Sequence, residues 1–280
     1  MPAMLLTDTH CHLDLNKFDA DREAVIARAR AAGVIRLLVP GLHLGSSKEA
    51  ARLAGSNPGV FAAVGFHPTD LDKFSERDFD QVKELARQPK VVAIGEIGLD
   101  DYWVKDAARR AVQREILKRQ LAFAEEIGKP VILHMREEND AWFGGASADL
   151  LDILAAWHGN LKAKNNPLAE RPGVLHSFNG TLETAQKAIA LNFFIGVTGP
   201  VTYKNAEQKR AVIYQLPITQ LLIETDSPFL APVPHRGIRS ARNEPAFVRE
   251  IADKIAEIKS RNLEEIAAVT TANAARLFLW

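Results

Sequence analysis

Val91-Val92-Ala93-Ile94-Gly95-Glu96-Ile97-Gly98-Leu99-Asp100 is the stretch from which the fold is read. Its opening run of apolar, β-branched residues lacks the alternation of a half-exposed strand. It fits a strand covered on both faces, the habit of parallel sheets. The strand is read over Val91–Ile97. Seven further runs of this kind follow the same logic: Ala3–Thr9, Val34–Pro40, Val60–Phe66, Val131–His134, Gly173–His176, Asn192–Val197 and Gln220–Thr225. Helical patterns separate them, clearest at Asp21–Ala32, Ala108–Ile127, Leu182–Leu191 and Pro245–Lys259. Strands alternating with helices require right-handed crossovers and a parallel sheet. Eight such units suggest an α/β chain closed into a (β/α)8 TIM-type barrel rather than an open doubly wound sheet. Gly33 and Gly128 sit where helix C-terminal caps are expected, and Pro130 opens a strand. Asn262–Phe278 reads as an additional C-terminal helix sealing one end. With no break in composition, residues 1–280 read as a single domain.

Composition narrows the class. The chain has 280 residues, with 35 basic and 35 acidic side chains and no net charge. That balance argues against a protein held on nucleic acid by an overall basic field, though not against a local basic site. A single cysteine cannot form an internal disulfide, which suits a reducing compartment. Met1–Asp8 lacks the basic and apolar regions of a signal peptide, and no apolar run approaches a bilayer span. A cytoplasmic location, no membrane and no obligate protein partner are therefore expected.

Barrel enzymes assemble their sites at the carboxyl ends of the strands, and those ends are rich in ligating groups here. Strand one runs into Asp8-Thr9-His10-Cys11-His12, strand three into Gly65-Phe66-His67-Pro68, and strand four into Glu96-Ile97-Gly98-Leu99-Asp100. Strand five ends in His134-Met135-Arg136, strand six in His176-Ser177-Phe178, and strand eight in Glu224-Thr225-Asp226-Ser227-Pro228. His10 and His12, two apart, project to one side of a strand and can reach one cation. Taken alone, such a pair is also an ordinary polar strand end. With Glu96, His134, His176 and Asp226 at the same depth, metal binding is the better reading. Six ligands exceed what one catalytic ion with open positions needs. They suit two divalent ions, Mg2+, Mn2+ or Zn2+, with Glu96 bridging a pair about 3.5–4 Å apart. His10, His12 and Asp226 would hold one ion, and His134 and His176 the other. Asp226 is then the residue expected to accept a proton from the attacking water, beside Glu96 as the second catalytic carboxylate.

His67, stiffened by the following proline, and Arg136, two residues after His134, are expected to meet an oxyanion such as phosphate. The competing readings are a capping or core histidine, and a salt bridge from Arg136 to Glu137-Glu138. The basic loop His235-Arg236-Gly237-Ile238-Arg239-Ser240-Ala241-Arg242, Arg236 included, reads as a phosphate-binding rim ahead of Pro245. Cys11 should point away from the ligands and pack. His43 and His158 match no cluster and read as surface or capping residues. Gly95-x-x-Gly98 lacks the remainder of a dinucleotide fingerprint.

These motifs, in this order and over essentially the whole chain, resemble the TatD-family metal-dependent hydrolases, a branch of the amidohydrolase superfamily built on distorted TIM barrels. The resemblance implies that His10, His12, Glu96, His134, His176 and Asp226 are metal ligands and that His67 and Arg136 contact a substrate phosphate. It also implies Mg2+-dependent deoxyribonuclease activity, including exonucleolytic trimming of single-stranded DNA. Glu96 on strand four distinguishes the chain from branches that bridge their metals with a carboxylated lysine. The loops Glu137–Ser147 and Gly159–Pro172 and the extra residues Ile238–Arg242 look expanded near the predicted mouth, where they would bear on substrate. The leading expectation is hydrolysis of a phosphodiester in single-stranded DNA or a related substrate. The alternatives are amide or ester hydrolysis, for example of an aminoacyl bond, on the same centre, and metal binding without turnover.

Overall fold

The computed structural model describes residues 4–237 and 242–280. Eight parallel strands lie side by side in chain order. They are β1 (Leu6–Asp8), β2 (Val34–Pro40), β3 (Val60–Val64), β4 (Val91–Asp100), β5 (Val131–Arg136), β6 (Gly173–Leu175), β7 (Phe194–Val197) and β8 (Leu221–Ile223). The seam between β8 and β1 is drawn together by Thr9 N–H donating to Ile223 O (3.2 Å) and Asp226 N–H donating to His10 O (2.8 Å). A parallel bridge from Cys11 to Ser227 continues it. The result is the nearly closed (β/α)8 barrel expected from the alternation.

Around it run α1 (Arg22–Ala31), α2 (Leu44–Ser56), α3 (Glu76–Ala86), α4 (Ala107–Ile127), α5 (Gly145–Ala163), α6 (Leu182–Ala190), α7 (Glu207–Gln215), α8 (Val248–Lys259) and α9 (Leu263–Phe278). Gly128 caps α4 in the left-handed conformation, φ 67°. β4 runs three residues past its expected end, which carries Asp100 to the mouth.

The expectation of a loop at Gly159–Pro172 is corrected. Residues 159–163 are the last turn of α5, and Pro167–Glu170 form a 3-10 turn. Leu150, Leu154, Trp157, His158 and Leu161 recur at helical spacing and are buried, so the apolar stripe carries the helix through the polar stretch. Because this segment leads from a helix into β6, it lies at the amino ends of the strands, away from the mouth.

The barrel floor is a second apolar cluster. Leu38, Ala63, Ala93, Ile132, Val174, Phe194 and Leu222, one from each of β2 to β8, pack against Ala274, Leu277 and Phe278 of α9. The expected C-terminal helix thus closes the end opposite the site. Each buried leucine or phenylalanine there contributes about 1.5–3 kcal/mol. Among the described residues no helix is long and apolar enough to cross a membrane.

Candidate metal centre

At the exit of β1 the chain alternates sides. His10 and His12 turn inward, their Nε2 atoms 3.2 Å apart. Cys11 turns outward into the core, fully buried, with Sγ 3.5 Å from Leu38 O. Glu96 enters from β4 with 3% of its surface exposed, and its two oxygens separate two groups of imidazoles. Oε2 lies 3.3 Å from His10 Nε2 and 3.7 Å from His12 Nε2. Oε1 lies 3.0 Å from His134 Nδ1 and 3.4 Å from His67 Nε2. Asp226 Oδ1 completes the first group, 3.4 Å from His12 Nε2, 3.9 Å from His10 Nε2 and 3.8 Å from His176 Nε2.

Three sets of potential ligand atoms lie within 4.8 Å of one another: His10–His176–Asp226, His10–His12–Glu96 and His67–Glu96–His134. Glu96 stands between the two sides, as expected of a bridging carboxylate. The division of the histidines differs from expectation. His176 is stacked on His10, ring centroids 3.4 Å apart, and so falls with Asp226 instead of His134. His67 takes the place beside His134.

The donor set suits a divalent cation. Imidazole nitrogens and carboxylate oxygens from six strand ends face one small space, and borderline and hard cations take such mixed N/O ligands. His10 Nδ1 and His12 Nδ1 are also buried without a hydrogen-bond partner. Burial pushes the His10 imidazole down to about 4, so it presents a neutral ring. Against the same burial, hydrogen bonding and charge from Asp226 lift His12 to about 9, and Asp100 and Glu96 lift His134 to about 9. Glu96, although buried, is held well below the usual carboxylate range by the imidazoles of His67 and His10 beside it and by hydrogen bonds from His10 and His134.

Two carboxylates that carried no assigned role orient the rings. Glu224, fully buried, has Oε2 2.8 Å from His176 Nδ1 and accepts from Ser177 N–H at 2.9 Å. Asp100 Oδ2 lies 2.9 Å from His134 Nε2, and its Oδ1 accepts from Trp103 N–H at 2.7 Å. Asp14 Oδ1, 3.9 Å from His12 Nδ1, is too far to hydrogen-bond, and that ring nitrogen stays unpaired. Spacing was the available signal: Glu224 precedes Asp226 by two residues, and Asp100 follows Glu96 by four on one strand, so each pair shares a side.

The outlying residues divide. Arg136 pairs with Asp140, Nε to Oδ1 2.8 Å, and lies 3.7 Å over the Tyr102 ring. The competing pairing with Glu137-Glu138 is not what forms. Glu137 instead accepts from Ala146 and Ser147 N–H at the start of α5, and Glu138 pairs with Lys105 and Arg110. Arg236 is exposed, 3.8 Å over the Tyr203 ring. Arg242 does not join a rim: it is bound to Asp21 at 2.6 Å and packs over Phe18. Residues 238–241 of the proposed rim, Arg239 included, lie outside the described residues. His43 caps α2 by accepting from Gly45 N–H, as expected of a capping residue. His158 is a core residue bound to Ala169 O at 3.1 Å.

Comparison with known families gives a match to the profile of TatD related DNases over residues 7–279. The chain belongs to this family. It is therefore a metal-dependent hydrolase, and a relative named as one, YabD of Bacillus subtilis, is 39% identical over 98% of this chain and 99% of that protein. A TatD relative named as a 3'-5' ssDNA/RNA exonuclease, from Edwardsiella piscicida, is 34% identical over 98% of this chain and 99% of its own. Among solved structures, the TatD homologue YjjV of Escherichia coli superposes with a TM-score of 0.85 at 32% identity and full coverage of both chains. The TatD-family assignment accords with the barrel and with the order of its strand-end motifs.

Proposed function

We propose that the chain, acting as one cytoplasmic domain over residues 1–280, hydrolyses phosphodiester bonds of single-stranded nucleic acid. DNA is the favoured substrate, trimmed from an end. The observation that carries this reading is the position of Glu96, whose two oxygens face separate groups of histidines at the mouth. The exonuclease name of the Edwardsiella relative supports the substrate class.

His10, His12, Glu96, His134, His176 and Asp226 would hold two divalent ions, Mg2+, Mn2+ or Zn2+, with His67 close enough to join or to meet substrate. Ions bound there would supply Lewis acidity and lower the pKa of a water nucleophile. Glu96 keeps its charge at neutral pH, and its two oxygens, facing separate groups of histidines, would help hold the ions. Asp226, held below the usual carboxylate range by its His12 hydrogen bond, is ionised and accepts the proton of the attacking water. Arg136 offers a fork to the phosphoryl oxygens once substrate competes with Asp140 for it, and Arg236 meets a more distant phosphate.

The test is a panel of single-stranded DNA, RNA, amides and esters, each assayed with Mg2+, Mn2+ and Zn2+. Cleavage of the strands is the expected result. Turnover of amides or esters alone would transfer the reading to the acyl-bond alternative.

A further inference from the structure

Two exposed aromatic rings stand at the mouth and take no part in the centre itself. Trp103 is 66% exposed and Phe229 is 44% exposed. Each is anchored through its backbone to a carboxylate-bearing residue of the site. Trp103 N–H donates to Asp100 Oδ1 at 2.7 Å, and the other oxygen of Asp100 lies 2.9 Å from His134 Nε2. Phe229 N–H donates to Asp226 O at 2.9 Å, and its ring centroid is 6.1 Å from that of His12.

Trp103 follows β4 and Phe229 follows β8. In a ring of eight strands in sequential order these positions are four strands apart, so the two rings stand on opposite sides of the mouth with the ligand cluster between them. Each has a cation beside it. The Arg136 guanidinium is 5.9 Å from the Trp103 ring and Lys17 Nζ is 5.0 Å from the Phe229 ring.

An indole left open to water forgoes the stabilisation of burying that area, and a partner that covers it recovers the loss. A base has the flat apolar face that fits, and the phosphates joined to it fit the cations. Aromatic faces interleaved with basic groups are how single strands are held without sequence readout. A duplex keeps its bases stacked on each other and cannot offer those faces. Resting on the nucleic-acid reading above, we propose that Trp103 and Phe229 are stacking platforms for the bases on either side of the scissile phosphodiester. The single strand then lies across the mouth, with Arg136 at the scissile phosphate and Lys17 beside an adjoining one.

Binding of a short phosphorothioate oligothymidylate and of an abasic strand with the same backbone, measured by fluorescence anisotropy with the Mg2+-loaded chain, tests this. Base stacking is worth about 1–3 kcal/mol per base, so the wild-type chain should prefer the base-bearing strand by roughly tenfold or more. Trp103→Ala and Phe229→Ala should each reduce that preference by about fivefold or more, and Trp103→Phe and Phe229→Tyr should restore most of it. A wild-type chain that binds both strands equally, or alanine variants that keep the full preference, would overturn the stacking proposal and leave the nuclease reading intact. A wild-type chain that neither binds nor cleaves any strand would overturn both.

Discussion

Glu224 Oε2 lies 2.8 Å from His176 Nδ1, and the space it occupies exists because residue 196 is glycine. A Cβ built on Gly196 would fall 2.3 Å from that same oxygen. A carboxylate on Nδ1 leaves Nε2 as the lone-pair donor toward the centre and fixes the ring plane. Glu224→Gln and Gly196→Ala should therefore produce the same defect by different routes. Each is expected to weaken Mn2+ binding by roughly 10–100-fold, read by calorimetric titration. Unchanged affinity in both variants would show that His176 needs no such support.

The barrel floor makes a prediction that should separate from the site. Leu277 is fully buried in the cluster that plugs the strands' amino ends. Leu277→Ala is expected to cost about 2–5 kcal/mol, measured from urea unfolding midpoints. The folded fraction should still bind Mn2+ with wild-type affinity, because the plug and the ligands lie at opposite ends.

Lys209 gives stability a pH dependence. Burial brings its ammonium down to about 8 from an ordinary 10.5, while its Nζ donates to Phe178 O at 2.6 Å. Between those values the unfolded chain binds the proton and the folded chain releases it, so this contribution to stability increases as pH rises through the window. The gain is on the order of 3 kcal/mol. Comparing unfolding midpoints at pH 7.5 and 10.5 should show a smaller rise in Lys209→Met than in the wild type. Equal slopes would mean that the ammonium is solvated.

Arg136 is a fork held by Asp140 and the Tyr102 ring. Lysine keeps the charge but loses the paired N–H geometry. Arg136→Lys should raise KM for a single-stranded substrate by about tenfold, the loss of roughly one charge-assisted hydrogen bond. A KM equal to wild type would remove Arg136 from phosphate recognition.

Much of this could be read from residues alone, and the reasons are local. Strand-end motifs were legible because a parallel barrel puts every strand's carboxyl end at one mouth, so sequence position becomes spatial position. The split of the histidines was not legible. It depends on His176 leaning over to stack on His10, which is set by Glu224 and by the glycine that admits it. The continuation of α5 through Gly159 was hidden by polar residues at the helix end, whereas its buried face ends only at Leu161. Trp103 and Phe229 sat inside or beside quoted motifs, but exposure is a property of the closed barrel and has no signature in the chain.

Phosphodiester cleavage is the activity proposed for a metal centre organised by Glu96. Its most direct test is the rate of cleavage of an end-labelled single-stranded DNA by metal-stripped protein, by the same protein after addition of Mg2+ or Mn2+, and by His10→Ala and Glu96→Ala treated identically. No cleavage is expected when stripped, recovery on adding metal, and no recovery in either variant, with both variants folded by circular dichroism. Full activity of a folded variant, or of the metal-stripped chain, would contradict it.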